Sequence, residues 1–206
     1  MRHAEELLLL DYGASSLTTP GEQESGDAYL VSTTPGGALL AVVDGAGHGA
    51  EAALAARLAV ATLEAHRHEG VLPLFRRCHE RLKGTRGVVM SLVSLDGIEN
   101  SITWLGVGNV EGVLLRSGES ADSRWETMFL RPGVVGYRLP SLQAIVTPIA
   151  PGDLVILTTD GIRADFTRHF GAEDSPEKIA GYISSNFRKG DDDGLVLVAR
   201  YLGSRA

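Results

Sequence analysis

The sequence predicts an α+β domain built around antiparallel sheet, and three observations predict it. Between residues 88 and 159 six short apolar segments follow one another, separated by turns such as Asp96-Gly97, Ser117-Gly118 and Pro151-Gly152 and by no helical stretch. Hairpins need only such turns, whereas parallel crossovers need a connecting helix. Helical character is confined to the Ala-rich stretch from Ala50 and the segment after it, and to the region beyond Thr159. Two wholly apolar runs, Leu39–Val43 and Leu154–Leu157, suit strands buried on both faces, and each leads into an Asp-Gly pair. This order disfavours a doubly wound nucleotide-binding fold. Nothing in the composition marks an internal linker, so the 206 residues are expected to form one domain over 1–206.

In chain order, Leu7 to Tyr12 reads as a first strand and Gly13 to Ser25 as a loop. A second strand runs from Gly26 to Val31, and Thr34-Pro35-Gly36-Gly37 turns it back into Leu39–Val43. That hairpin would lay Asp27 and Asp44 side by side at one end of the paired strands. Gly45, Gly47 and Gly49 permit tight turns, and a helix follows from Ala50 to Ala65. Gly70 stops the chain and Pro73 fits the first turn of a second helix with Leu72, Phe75, His79 and Leu82 as its stripe. Its other face carries Arg76, Arg77, Arg81 and Lys83, a basic patch that reads either as a solvated face or as a docking surface. The six strand segments are 88–95, 101–107, 112–115, 125–130, 142–149 and 153–159. Helices are expected from Gly161 to Phe170 and from Pro176 to Phe187, started by Ser175, and a last strand from Leu195 to Tyr201.

Composition excludes several functions. A net charge of -7 argues against a nucleic-acid surface or an anionic membrane surface, both of which need clustered Lys and Arg. The single cysteine, Cys78, forms no internal disulfide and reads as a small core residue in a reducing compartment. No apolar run reaches the roughly 18 residues of a membrane span. A cytoplasmic monomer is the expectation.

The chemistry-bearing residues are acidic and stand at strand ends. Asp27 enters a strand, Asp44 and Asp160 leave apolar strands, and Asp191-Asp192-Asp193 precedes the last one. Like charges gathered by a fold repel unless cations neutralise them. The Gly-x-Gly-x-Gly spacing after Asp44 is neither a dinucleotide fingerprint nor a P-loop, and a carboxylate there suits a cation better than a bare anion.

Together, Ser25-Gly26-Asp27, Val43-Asp44-Gly45-Ala46-Gly47-His48-Gly49, Gly106-Val107-Gly108-Asn109, Leu130-Arg131-Pro132-Gly133, Pro151-Gly152-Asp153 through Asp160-Gly161, and Asp191-Asp192 before Leu195 resemble, in order, the metal-dependent type-2C protein phosphatases. Within them, the resemblance is to the bacterial sporulation and stress-response branch. It implies a four-layer α-β-β-α sandwich of two mainly antiparallel sheets flanked by helices, two divalent cations (Mn²⁺ or Mg²⁺) between strand ends, and hydrolysis of phosphoserine or phosphothreonine on a protein. It also implies Asp44 as the bridging and catalytic ligand and the Gly45 carbonyl as a second donor. Asp27 joins them directly or through water, together with the catalytic Asp160 and with Asp191. The implied partner is a phosphorylated bacterial regulatory protein of the stressosome scaffold or anti-sigma-factor antagonist type, acted on by a small free-standing enzyme, since no room precedes Leu7 for a sensor domain. A phosphatase-like binding module and a hydrolase of small phosphoesters are the alternatives.

Three positions depart from the pattern. His48 lies four residues after Asp44 rather than two and is not assigned as general acid. The N-terminal strand carries no phosphate-binding Arg. Asp191-Asp192-Asp193-Gly194 permits two registers, so that Asp191 and Asp192 both stand as metal residues with either as the direct ligand; the family register favours Asp191, gives Asp192 a lesser role that orients a ligand, and leaves Asp193 at a variable position of little consequence.

Overall fold

The computed structural model describes residues 9–118, 125–168, 173–190 and 192–203. Its strands are β1 (Leu10–Leu17), β2 (Asp27–Thr34), β3 (Gly37–Gly45), β4 (Val88–Asp96), β5 (Ser101–Val107), β6 (Glu111–Leu115), β7 (Trp125–Thr127), β8 (Leu130–Arg131), β9 (Ile145–Pro148), β10 (Leu154–Thr158) and β11 (Gly194–Tyr201). Three helices, α1 (Ala50–Ala65), α2 (Val71–Arg81) and α3 (Pro176–Phe187), and a 3-10 turn at Ala164–Arg168 complete the order. Ser175 caps α3, its hydroxyl accepting from the Lys178 N–H, with Pro176 in the first turn.

Two sheets result. One has the order β1-β11-β10-β6-β7, and the other has β2-β3-β4-β5-β8, with β9 also on β5. Side-chain alternation along the apolar strands divides them between three cores. Leu40 and Val42 of β3 meet Val155 and Leu157 of β10 and Leu195 and Leu197 of β11 between the sheets. Leu39, Ala41 and Val43 point the other way, against Ala55, Ala59 and Leu63 of α1 and Phe75 and Cys78 of α2. Leu154, Ile156, Val196 and Val198 pack outward on Ile179, Ile183 and Phe187 of α3. The layers therefore run helix, sheet, sheet, helix. Burial on both faces is why these strands lack a polar alternation. No helix among the described residues is long and apolar enough to cross a membrane.

Several boundaries differ from expectation, each for a physical reason. The stretch from Gly13 to Leu17 is strand, not loop: it pairs with Val198 to Gly194 of β11. Gly13 serves a close approach there, since a Cβ would lie 2.3 Å from the Glu177 Cα at the start of α3. The expected single strand 125–130 is two, β7 on one sheet and β8 on the other, so the chain changes sheets there. The β5–β8 pair is parallel, which breaks the antiparallel meander. A short 3-10 turn replaces the helix expected over 161–170, of which residues 169 and 170 lie outside the described residues. In α2 the buried stripe is Val71, Leu74, Phe75 and Cys78. His79 instead accepts a hydrogen bond at Nδ1 from the Gly136 N–H, 3.0 Å away. Burial pushes the Cys78 thiol up to about 12, the state of an inert core residue.

Candidate metal centre

The centre begins with the β2–β3 hairpin, whose register places Asp27 directly opposite Asp44. The end of the hairpin is pinned on both sides. Gly45 N–H donates to the Gly26 carbonyl at 3.0 Å, and Ala46 N–H donates to the Gly87 carbonyl at 3.0 Å. Glycine is required at 45, because a Cβ would stand 2.1 Å from the Ala52 carbonyl oxygen of α1. The helix can therefore pack hard against the strand that delivers Asp44.

The other sheet brings its own carboxylates to the same place. Thr159, one residue past β10, donates its hydroxyl to Asp27 Oδ2 at 2.8 Å and accepts the Leu195 N–H at 2.8 Å, joining the two sheets at the centre. Next to it, Asp160 Oδ2 accepts from the Asn109 side-chain amide at 2.7 Å. Asn109 sits where the chain passes from β5 of one sheet to β6 of the other. Asp192 is exposed, and its Oδ1 accepts the Asp193 N–H at 2.9 Å. Asp191 lies outside the described residues.

Asp193 differs from the sequence expectation. It is buried, and its two carboxylate oxygens accept from Thr19 N–H (2.7 Å), Thr19 Oγ1 (2.9 Å) and Gly26 N–H (2.6 Å). It fastens the segment before β2 to the start of β11, and so fixes where Asp27 begins. His48 is exposed, with Nδ1 2.7 Å from Glu22 Oε1. Sequence reasoning thus missed Thr159, Asn109 and Asp193. The first two lay inside recognised motifs, but only the fold supplies their long-range partners.

The electrostatics call for a cation. Burial, followed by the Asp27, Asp160, Asp192 and Asp193 carboxylates, pushes Asp44 from 3.8 up to about 8. Burial likewise raises Asp27 to about 7, against the lowering effect of its Thr159 bond. Asp160 is raised as well, by burial and by Asp192, with Lys189 and the Asn109 bond opposing. Enclosed carboxylates that repel one another are a hard-cation donor set of oxygens, and Cys and His play no part in it. Among the described residues, no three Asp, Glu, His or Cys side chains already converge at ligand distance. The pair Asp27 and Asp44 is preformed, and Asp160 is oriented beside it.

Residues 34–201 match the family of stage II sporulation protein E (SpoIIE). The phosphoserine phosphatase RsbX of Bacillus subtilis (strain 168) is 26% identical over 182 residues, covering 86% of this chain and 87% of that relative. A structure solved in work on the bacterial stressosome as a modular system adapted to control secondary messenger signalling is 32% identical, with a TM-score of 0.83 over 93% of this chain and 99% of that one. A crystal structure of RsbX with magnesium is 20% identical and superposes with a TM-score of 0.83 over 97% of this chain and 98% of that one. The order of motifs, the two-sheet sandwich and the acidic strand ends thus have one explanation: the chain belongs to the SpoIIE family and is a PP2C-type phosphatase domain.

Proposed function

We propose that the chain, acting as a single-domain cytoplasmic monomer, hydrolyses phosphoserine or phosphothreonine on a bacterial regulatory protein of the stressosome scaffold or anti-sigma-factor antagonist type. Asp27, Asp44, the Gly45 carbonyl, Asp160 and the Asp191–Asp192 pair would hold two divalent cations, Mn²⁺ or Mg²⁺. The observation that carries this reading is the cross-strand pairing of Asp27 with Asp44 at a site enclosed enough to raise both carboxyls.

Bound there, such cations supply a water of lowered pKa and positive charge against the phosphoryl oxygens. The chain's own groups prepare that site. Thr159 donates to one oxygen of Asp27 and leaves the other for a ligand, while the Asn109 amide sets the orientation of Asp160. Asp193 anchors Gly26 and with it the start of β2. Each of these bonds fixes a carboxylate before any ion arrives, which lowers the ordering cost of binding. The naming of RsbX as a phosphoserine phosphatase, its crystal structure with magnesium and the stressosome context of the 32%-identical structure support the choice of substrate and ion.

The test is a phosphate-release assay with and without chelator, comparing a phosphorylated stressosome scaffold protein, an unrelated phosphoprotein and a small aryl phosphate. Turnover that needs Mn²⁺ or Mg²⁺ and favours the scaffold protein is expected. Undiminished activity after thorough chelation would overturn the metal assignment. A preference for the aryl phosphate would place the enzyme among small-phosphoester hydrolases, and no turnover on any substrate would make the chain a binding module.

A further inference from the structure

The outer face of the α1–α2 pair is built unlike an ordinary solvated surface. A surface helix commonly turns polar residues outward, but α1 presents Leu54, Leu58, Ala61 and Ala65 on the side away from β3, at the spacing of one helical stripe. Leu54 is 49% exposed. Beside this stripe α2 projects Arg76, Arg77 and Arg81, and between the two helices runs a groove of about 710 Å³ floored by Ala61, Ala65 and the half-buried Leu58, with Thr62, His66 and Glu80 completing its walls. Arg77 is engaged by Glu69 at 2.7 Å, and nearby Glu80 is engaged by Lys83. Arg76 and Arg81 form no ion pair among the described residues.

We propose that this groove docks an acidic amphipathic helix of a separate protein partner. Its apolar side would cover the Leu54–Ala65 stripe, and its carboxylates would meet Arg76 and Arg81. The combination selects the occupant. An apolar floor recognises the apolar face of a helix, and two unpaired guanidinium groups at its wall favour carboxylates in bidentate pairs. A second copy of this chain seated face to face would set arginine against arginine, so self-association is disfavoured here. Nucleic acid would leave the stripe uncovered, and it would meet a chain of net charge -7. The surface is formed by residues other than the acidic strand ends, so docking and phosphate release are separable.

The experiment uses the full chain and two designed helical peptides with the same leucine stripe, one flanked by Glu and one by Lys. Fluorescence anisotropy is expected to show the Glu peptide binding at least about tenfold tighter than the Lys peptide, with an affinity that falls as salt rises. The double variant Arg76→Glu/Arg81→Glu should reverse the preference. Ala61→Arg, at an exposed helical position, should block both peptides by filling the groove. Both variants should keep wild-type metal-dependent turnover of an aryl phosphate, which shows that they are folded. Equal binding of the two peptides, no measurable binding of the Glu peptide, or binding unaffected by either variant would overturn the proposal. So would a concentration-dependent dimer that the charge reversal abolishes, because the occupant would then be a second copy.

Discussion

Replacing Asp193 by Asn tests the buried anchor most sharply, because the substitution keeps the shape and changes one atom. All three bonds to Asp193 come from donors, so both carboxylate oxygens must accept. Asparagine has one accepting oxygen. If that oxygen stays on Thr19, the amide NH₂ faces the Gly26 N–H, and two donors meet in a buried place. Losing one charge-assisted bond costs about 1.5–3 kcal/mol, and stranding a buried donor adds about 1–3 kcal/mol. Removing a negative charge relieves the repulsion that Asp193 exerts on Asp27 and Asp44, which offsets part of this. A net destabilisation of about 2–4 kcal/mol is expected, a fall in Tm of roughly 5–15 °C for a chain of this size. Because repulsion matters least when cations are bound, the loss should be larger with saturating Mg²⁺ than with chelator. Thermal unfolding followed by circular dichroism in both conditions measures it. In chelator Asp192→Asn is the control, since among the described residues its carboxylate is bonded to the next residue's N–H and its effect there should stay within about 0.5 kcal/mol. A Tm for Asp193→Asn within about 1 °C of wild type in both conditions would show that the three bonds do not anchor the segment.

Asp44→Ala and Asp160→Ala should abolish turnover while leaving the unfolding transition cooperative; either variant retaining the wild-type rate at saturating metal would displace the centre. Asp191→Asn should lower turnover at least tenfold, about 1.4 kcal/mol in barrier terms, and a larger loss at Asp192 in a metal titration would shift the register by one residue. For the metal-free protein, Asp27 and Asp44 carry folded pKa values of about 7 and 8 against an ordinary 3.8. The folded chain then binds more protons than the unfolded one, so this contribution is complete below pH 3.8 and is lost as pH rises through 7 and 8. Denaturant midpoints of the chelated protein should accordingly decline from pH 5 to pH 8, and Mg²⁺ should reverse the decline; midpoints that rise with pH would contradict the raised carboxyls. Cys78, buried and with its thiol up at about 12, should resist iodoacetamide until the protein unfolds, as followed by mass spectrometry.

What the sequence disclosed follows from the range of the interactions involved. Helix α1 and the strands β3, β5 and β10 were legible because burial on both faces or alanine content is a local signal, and the Asp27–Asp44 pairing was legible because a short turn fixes the register of a hairpin. The role of Asp193 was not legible, since its partners Thr19 and Gly26 stand 174 and 167 residues away along the chain. The same holds for Thr159 and Asn109, whose bonds span 132 and 51 residues. Gly13 misled for a related reason: a glycine among serines and threonines is a turn signal, and nothing local distinguishes it from a glycine that admits a helix from the far end of the sequence.

The division of the carboxylates between the sheets has an energetic consequence. Asp27 and Asp44 belong to one sheet, and Asp160, Asp192 and Asp193 border strands of the other. On the proposed assignment, an ion held between Asp27 and Asp44 on one side and Asp160 and Asp192 on the other would act as a clasp across the inter-sheet core and would stabilise only the state in which the two sheets are fully docked, by RT ln(1 + [L]/Kd). A partly folded chain with one finished sheet owns half a clasp and gains little from the ion. Shortening a residue deep in the seam, such as Leu40 or Leu197, should therefore weaken ion affinity at a distance, because part of the binding energy is then spent on pulling the sheets back into register.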